Sequence, residues 1–312
     1  MGKASRAKAD INRRERIAAQ RAAQRRREQG QRLLMAGGAI LAVVIIVVGF
    51  VIWKTTSSSN GSNVAGGASN GPTGAALTSV VNDVTGVPAS TLDAVGGGGS
   101  NLSGAIQKIS GGTPLTSNGK PEVFYDGAEY CPYCAANRWG MVVALSRFGT
   151  FSGLKTIHSS TIDTPSNIPT FTFYGSTYTS NYISFAAVEE TTNIPNSAQN
   201  GYTPLQTPTS DQQALLKKYD YPPYVSAQNQ GAIPFVDFGN QYLQSGDLPM
   251  LTPTALQGNW TKIAGDLKTP STANAKAVDA AANFMTAAIC KLTNNQPATA
   301  CTSTVQALES QL

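Results

Sequence analysis

Histidine is almost absent from this 312-residue chain, which has His158 alone, and cysteine is scarce at four, none before Cys131. One histidine leaves catalytic triads a single candidate without a neighbouring motif, and His158 reads better as a polar strand-end residue. No glycine-rich phosphate loop and no paired-carboxylate hydrolase site stands out. Charge is also low, at 13% of residues, and unevenly spread. Residues 1–32 hold eleven Lys/Arg against three acids, a net of +8, while the remaining twelve Lys/Arg and fifteen acids give −3. The basic balance belongs to the tail, and nucleic-acid binding by the folded part has no support.

Long apolar runs are missing too, with one exception. Leu33 to Trp53 is 21 residues without a charge, long enough at ~1.5 Å per residue to cross a bilayer. A cleavable signal would have a shorter apolar core and a small-residue cleavage site. Here a long basic region precedes the run and no convincing site follows. The expected layout is a basic cytoplasmic tail (1–32), a transmembrane helix (33–53), a flexible Ser/Gly/Asn linker (54–74) and a folded domain (75–312) outside the cytoplasm. Abundant Ser, Thr, Asn and Gly and an even cysteine count suit such a compartment.

What is present centres on Glu122 to Cys134. A β-like run, Val123 to Tyr125, meets a turn at Gly127 and then Cys131-Pro132-Tyr133-Cys134. From Ala135 to Phe148 the apolar residues recur at helical spacing, so the cysteines open a helix. A helix start has N–H groups without partners and partial positive charge, which stabilise a thiolate at Cys131; Pro132 suits the first helical position. Cys134 lies one turn on, within disulfide reach. Exchange needs an attacker, Cys131, and a resolver, Cys134. An inert disulfide is the plainer alternative, and zinc another. Zinc would need Cys290 and Cys301, whose ten-residue spacer is unlike a zinc knuckle. Neither metal nor cofactor is expected.

Strand, Ala128-Glu129-Tyr130-Cys131-Pro132-Tyr133-Cys134 and helix together resemble the active-site segment of the thioredoxin superfamily. The Pro-Tyr dipeptide is like that of glutaredoxins, and the setting is closer to DsbA-like proteins, in a membrane-anchored extracytoplasmic branch. Gly231 to Gly239 resembles the segment holding that family's cis-proline, which makes Pro234 the residue facing the cysteines and the Ile233 backbone the pairing site for an extended substrate. The implied fold is α/β and thioredoxin-like, with a β-hairpin/helix insertion at about 161–230. The family usually places a buried carboxylate six positions before the first cysteine. Here that position is Tyr125, and Asp126 would point to the opposite sheet face. Glu129 is a candidate proton relay for Cys134, with simple solvation as the plainer reading.

Elsewhere, Leu77 to Val84 and Leu102 to Ile109 read as short helices, and Leu154 to His158 as the strand completing a β-α-β start. Phe171 to Tyr174, Tyr178 and Tyr182 to Val188 read as hairpin strands around Gly175-Ser176. A helix follows from about Asp211 to Tyr219, capped by Ser210 or Thr209. Ile233 to Phe238 and Gln241 to Gln244 make a closing hairpin around Gly239-Asn240. Thr254 to Leu267 and Ala273 to Leu292 read as helices, with Cys290 and Cys301 joined in a structural disulfide.

The functional expectation is a membrane-anchored thiol-disulfide oxidoreductase. It would act on exported cysteine-containing proteins and be re-oxidised by a quinone-linked membrane partner. The alternatives are a reductase or isomerase fed electrons across the membrane and a non-catalytic binding module; burial of both sulfurs would favour the module. Protease added to intact cells, wall removed, should cut within the 55–74 linker and release the domain. Cleavage confined to the N-terminal tail would invert the topology.

Overall fold

The computed structural model describes residues 70–99, 101–199 and 201–312. The expected basic tail, transmembrane helix and most of the linker lie outside them. Among the described residues no helix is long and apolar enough to cross a membrane.

The chain is a mixed α/β fold. It opens with α1 (Gly74–Thr85) and α2 (Ala89–Val95). The latter went unread in the sequence, although Pro88 before it and Gly96 after it, at φ 56°, mark its ends. The helix expected at 102–109 does not form. Gly104 there takes φ +80°, outside the helical region, and the segment supplies β1 (Gln107–Lys108) to a sheet edge. Then come β2 (Thr116–Ser117), β3 (Lys120–Gly127) and α3 (Pro132–Ser146).

The next four strands are β4 (Gly149–Ser152), β5 (Lys155–His158), β6 (Pro169–Thr172) and β7 (Thr177–Ser180). They pair β4 with β7 and β5 with β6, both antiparallel, as one long ribbon broken at Gly153 and Gly175. Those glycines have φ +76° and +75°, and a Cβ at Gly153 would lie 3.3 Å from the Gly175 carbonyl oxygen, so the kink needs them. The strand expected at 154–158 is therefore present, but its partner is β6. The parallel partner of β3 is instead β8 (Ser184–Glu189), in register from Glu122 with Ser184 to Gly127 with Glu189. The 171–174 segment is strand only to Thr172 and the 182–188 segment only from Ser184, and the two do not pair, because the chain leaves the ribbon after Ser180 to lay β8 beside β3.

A short hairpin follows, β9 (Thr191–Asn196) with β10 (Gly201–Pro204). Next is α4 (Ser210–Tyr219), capped by Thr209 with Gln212 in a reciprocal capping box. The expected closing hairpin is β11 (Phe235–Phe238) and β12 (Tyr242–Ser245), turning through Gly239 and Asn240, both at positive φ. The helix expected from Thr254 is shorter: a 3₁₀ turn at Pro253–Ala255 is separated by Gly258, at φ +101°, from α5 (Trp260–Asp266). α6 (Ala273–Leu292) and α7 (Ser303–Leu308) follow, and a 3₁₀ turn at Glu309–Gln311 closes the chain.

The main sheet runs β12-β11-β3-β8, with β1 beyond β12 and β2 beside the start of β3. Alternation along β3 sends Val123 and Tyr125 into the core beneath α3 and α6, and Phe124 into a smaller core on the other face with Tyr219, Phe235 and Leu243. α3 lies close on α6 because Gly140 faces Ala281.

Cys290 and Cys301 form a disulfide closing an eleven-residue separation. Changing both to Ser should remove about 3 kcal/mol in the chain-entropy picture, seen as a fall in Tm of roughly 6–12 °C, with Cys131 reactivity unchanged. Unchanged stability with lost reactivity would move this pair into the redox chemistry.

Candidate active site

β3 delivers the chain into a turn, Ala128-Glu129-Tyr130, that neighbouring elements pin. Glu129 N–H donates to the Thr191 carbonyl of β9 at 2.9 Å, and the Tyr130 carbonyl accepts from Ser160 N–H at 2.8 Å. The Tyr130 ring stacks on Tyr202 of β10, centroids 4.2 Å apart and 7° from parallel. Cys131 then takes an extended conformation as the N-cap of α3, with Pro132 in the first turn. Its Sγ accepts from the Cys134 N–H at 3.2 Å and lies 3.8 Å from the Ile233 carbonyl oxygen. The Ile233–Pro234 bond is cis, and the Pro234 carbonyl accepts from Gly246 N–H. Cys131, Cys134, Pro132, Tyr133, Ile233 and Pro234 thus meet at one end of the sheet, as their order in the chain suggested.

Cys131 and Cys134 are free cysteines, both buried, and they differ. Cys131 keeps 5% of its surface and Cys134 none, so an approaching group meets Cys131, beside Tyr133 at 42% exposure. The Cys131 thiol is held below its usual range, chiefly by the Cys134 thiol donating to it, then by the Cys134 and Tyr133 N–H groups and the Arg138 charge, against the effect of burial. Burial pushes the Cys134 thiol well up, and the Cys131 charge adds to this. One sulfur is prepared as thiolate while the other keeps the proton.

Glu129 is buried, so the solvated reading of it falls. The Arg138 charge also acts on Cys134. Arg138 was missed in the sequence. It is fully buried and pairs with Glu189 at the end of β8, Nη2 to Oε2 at 2.6 Å. The available signal was an arginine four positions after Cys134, the one charge in that helix. His158 ends β5, with Nδ1 2.6 Å from the Ser159 carbonyl oxygen. Among the described residues no cluster of three or more His, Cys, Asp or Glu could hold a metal ion.

Residues 106–291 match the family model described as Domain of unknown function (DUF929), more than half of the chain. The chain belongs to that family. No curated protein and no solved structure matches it. The matched span of this DUF929 member takes in the cysteine turn, the β4–β7 ribbon, β8, and Ile233 and Pro234.

On the sheet face opposite Tyr125, Asp126 is buried and its Oδ1 has no hydrogen-bond partner among the described residues. Burial foremost, with Glu190, Glu189 and Asp220 adding negative charge, pushes its carboxyl up to about 8. Asp220, which accepts from Ser245 Oγ at 2.8 Å, is raised by burial to about 7. Such a carboxyl keeps its proton in the folded state where the unfolded chain has lost it. Its contribution to stability is therefore whole below the unfolded value near 4 and is lost as pH rises toward 8. Asp126→Asn should lose less Tm than wild type between pH 5 and pH 8. An equal or larger loss in the variant would place the Asp126 titration elsewhere.

Proposed function

We propose that this chain is a thiol-disulfide oxidoreductase with a thioredoxin-like fold, anchored by residues 33–53 and acting outside the cytoplasm on exported cysteine-containing proteins. The observation that carries the reading is the asymmetric pair. Cys131 caps a helix, takes hydrogen bonds that favour its thiolate, and faces Ile233 and Pro234, while Cys134 is closed off one turn behind it. A helix-start thiolate is both an effective attacker and a good leaving group. Its stabilisation favours the reduced pair and makes the disulfide oxidising, which is the direction needed to oxidise exported proteins. A quinone-linked membrane partner would restore the disulfide.

Support for the fold comes from the strand order β8-β3-β11-β12. The Cys-Pro-Tyr-Cys turn follows the strand that pairs in parallel with β8, and Pro234 opens the antiparallel hairpin. The insertion then reads as two pieces on either side of β8: the β4–β7 ribbon, and β9 through α4. A non-catalytic module is the second reading, favoured by the burial of both sulfurs.

Cys134→Ser leaves an attacker with nothing to release it, so mixed disulfides with exported proteins should accumulate and collapse on reduction. Cys131→Ser should give few, since its remaining thiol is buried. If neither variant forms adducts and the wild type fails to oxidise a reduced test protein, the module is the better account.

A further inference from the structure

Arg138 stands one helical turn beyond Cys134 on α3, so the two side chains share a helix face. Nε donates to Glu189 Oε1 at 2.8 Å, and Nη2 donates to Glu189 Oε2 at 2.6 Å and to the Ala128 carbonyl at 2.7 Å. This grip leaves the guanidinium no freedom to swing away. Nη1 is buried as well and has no acceptor among the described residues, an expensive omission unless negative charge develops near it. The pair is a dipole, with its positive end on the helix that carries the sulfurs and its negative end on β8. Tyr125 from β3 and Tyr130 from the turn also feel the sulfurs, each kept as the neutral phenol chiefly by burial, and Glu129 is buried in the same turn. Tyr125 occupies the place where a carboxylate base was expected, and Asp126 lies on the far face.

We propose that Arg138 is the positioning residue of the redox pair, supplying the fixed positive charge that holds the thiolate at Cys131 and the one released at Cys134. This role rests on the oxidoreductase reading above. In that chemistry a substrate thiolate attacks Cys131 Sγ of the oxidised pair. The substrate–Cys131 S–S bond forms, the Cys131–Cys134 bond breaks, and its electron pair leaves on Cys134 Sγ. A second substrate thiolate attacks the substrate sulfur of the mixed disulfide, and that electron pair leaves on Cys131 Sγ. The substrate gives up two electrons and the cysteine pair gains them. Both departing sulfurs are anions in a buried site, and the Arg138 charge favours each.

The test is the pH profile of Cys131 alkylation by iodoacetamide in the reduced full chain, read by peptide mass mapping. Arg138→Met with Glu189→Met removes both charges and leaves an apolar pair, a replacement that buried ion pairs often tolerate. It should raise the midpoint by about one unit, slowing alkylation roughly tenfold at pH 6. Glu189→Gln keeps the cation and should move the midpoint the other way. A double variant with the wild-type profile overturns the role, as does a Glu189→Gln midpoint that rises with it, the pattern of a merely structural pair. Should the variants not fold, the wild type decides. With arginine labelled with ¹⁵N, the Arg138 Nε–H resonance should shift with the Cys131 midpoint, and a flat resonance overturns the proposal. If these shifts occur while the wild type oxidises no test protein, the oxidoreductase reading falls and the thiolate-holding role stands.

Discussion

Two opposite charges, Arg138 and Glu189, are fully buried in one place, and burial on that scale is tolerated only when each group satisfies the other. Removing one partner of such a pair leaves the second stranded, at a typical cost of about 3–5 kcal/mol. The hydrogen bonds around the pair show how much of the fold meets there. Arg138 reaches from α3 to the Ala128 carbonyl at the end of β3, and Glu189 Oε1 also accepts from the Phe173 N–H beside β6. The Glu189 N–H donates to Gln206 Oε1 beyond β10. Helix, cysteine turn, ribbon and hairpin are each tied to this one contact, so the cysteines cannot shift without disturbing it.

The pieces lying outside the four-strand order converge on the same turn. Residue 160 from the ribbon loop, and Thr191 and Tyr202 from the β9–β10 hairpin, all hold Glu129 or Tyr130. Backbone groups of a turn that sits partly away from water need partners, and these two segments supply them. A minimal sheet with one helix on each face would leave the turn open at that side. The additions thereby fix the turn that leads into Cys131.

The site was legible where its signal is local. The Cys-Pro-Tyr-Cys helix start, Pro234 before a strand, the Gly239-Asn240 turn and the long apolar α6 are each written within a few residues. Pairing was not legible. Period-two alternation marks a strand at 155–158 and another at 184–189, yet nothing in the alternation says which of them lies beside β3. Glu189 and Arg138 are 51 positions apart, and each alone resembles an ordinary charge at a strand end or on a helix. Only the sheet register, Gly127 opposite Glu189, brings the carboxylate to the cysteine end. The helix expected at 102–109 failed for a related reason: Leu102, Ile106 and Ile109 are buried at helical spacing, but they anchor a loop that Gly104 bends.

The exchange of residues on β3 has an electrostatic consequence for the proposed chemistry. A carboxylate facing the cysteines would take the Cys134 proton as a base, but its charge would also oppose a thiolate at Cys131. With Tyr125 in that place, and its phenol pushed further up by burial, no negative charge stands on that face of β3. Asp126 holds its charge, when it has one, on the side of α4 and Asp220. On the helix side, the Arg138 charge acts on both sulfurs. Such a site stabilises the thiolate itself, with Glu129, buried two positions before Cys131, as the one carboxyl of the turn. The Cys134 N–H donates to Cys131 Sγ at 3.2 Å, so the helix start that closes off Cys134 also favours charge on Cys131.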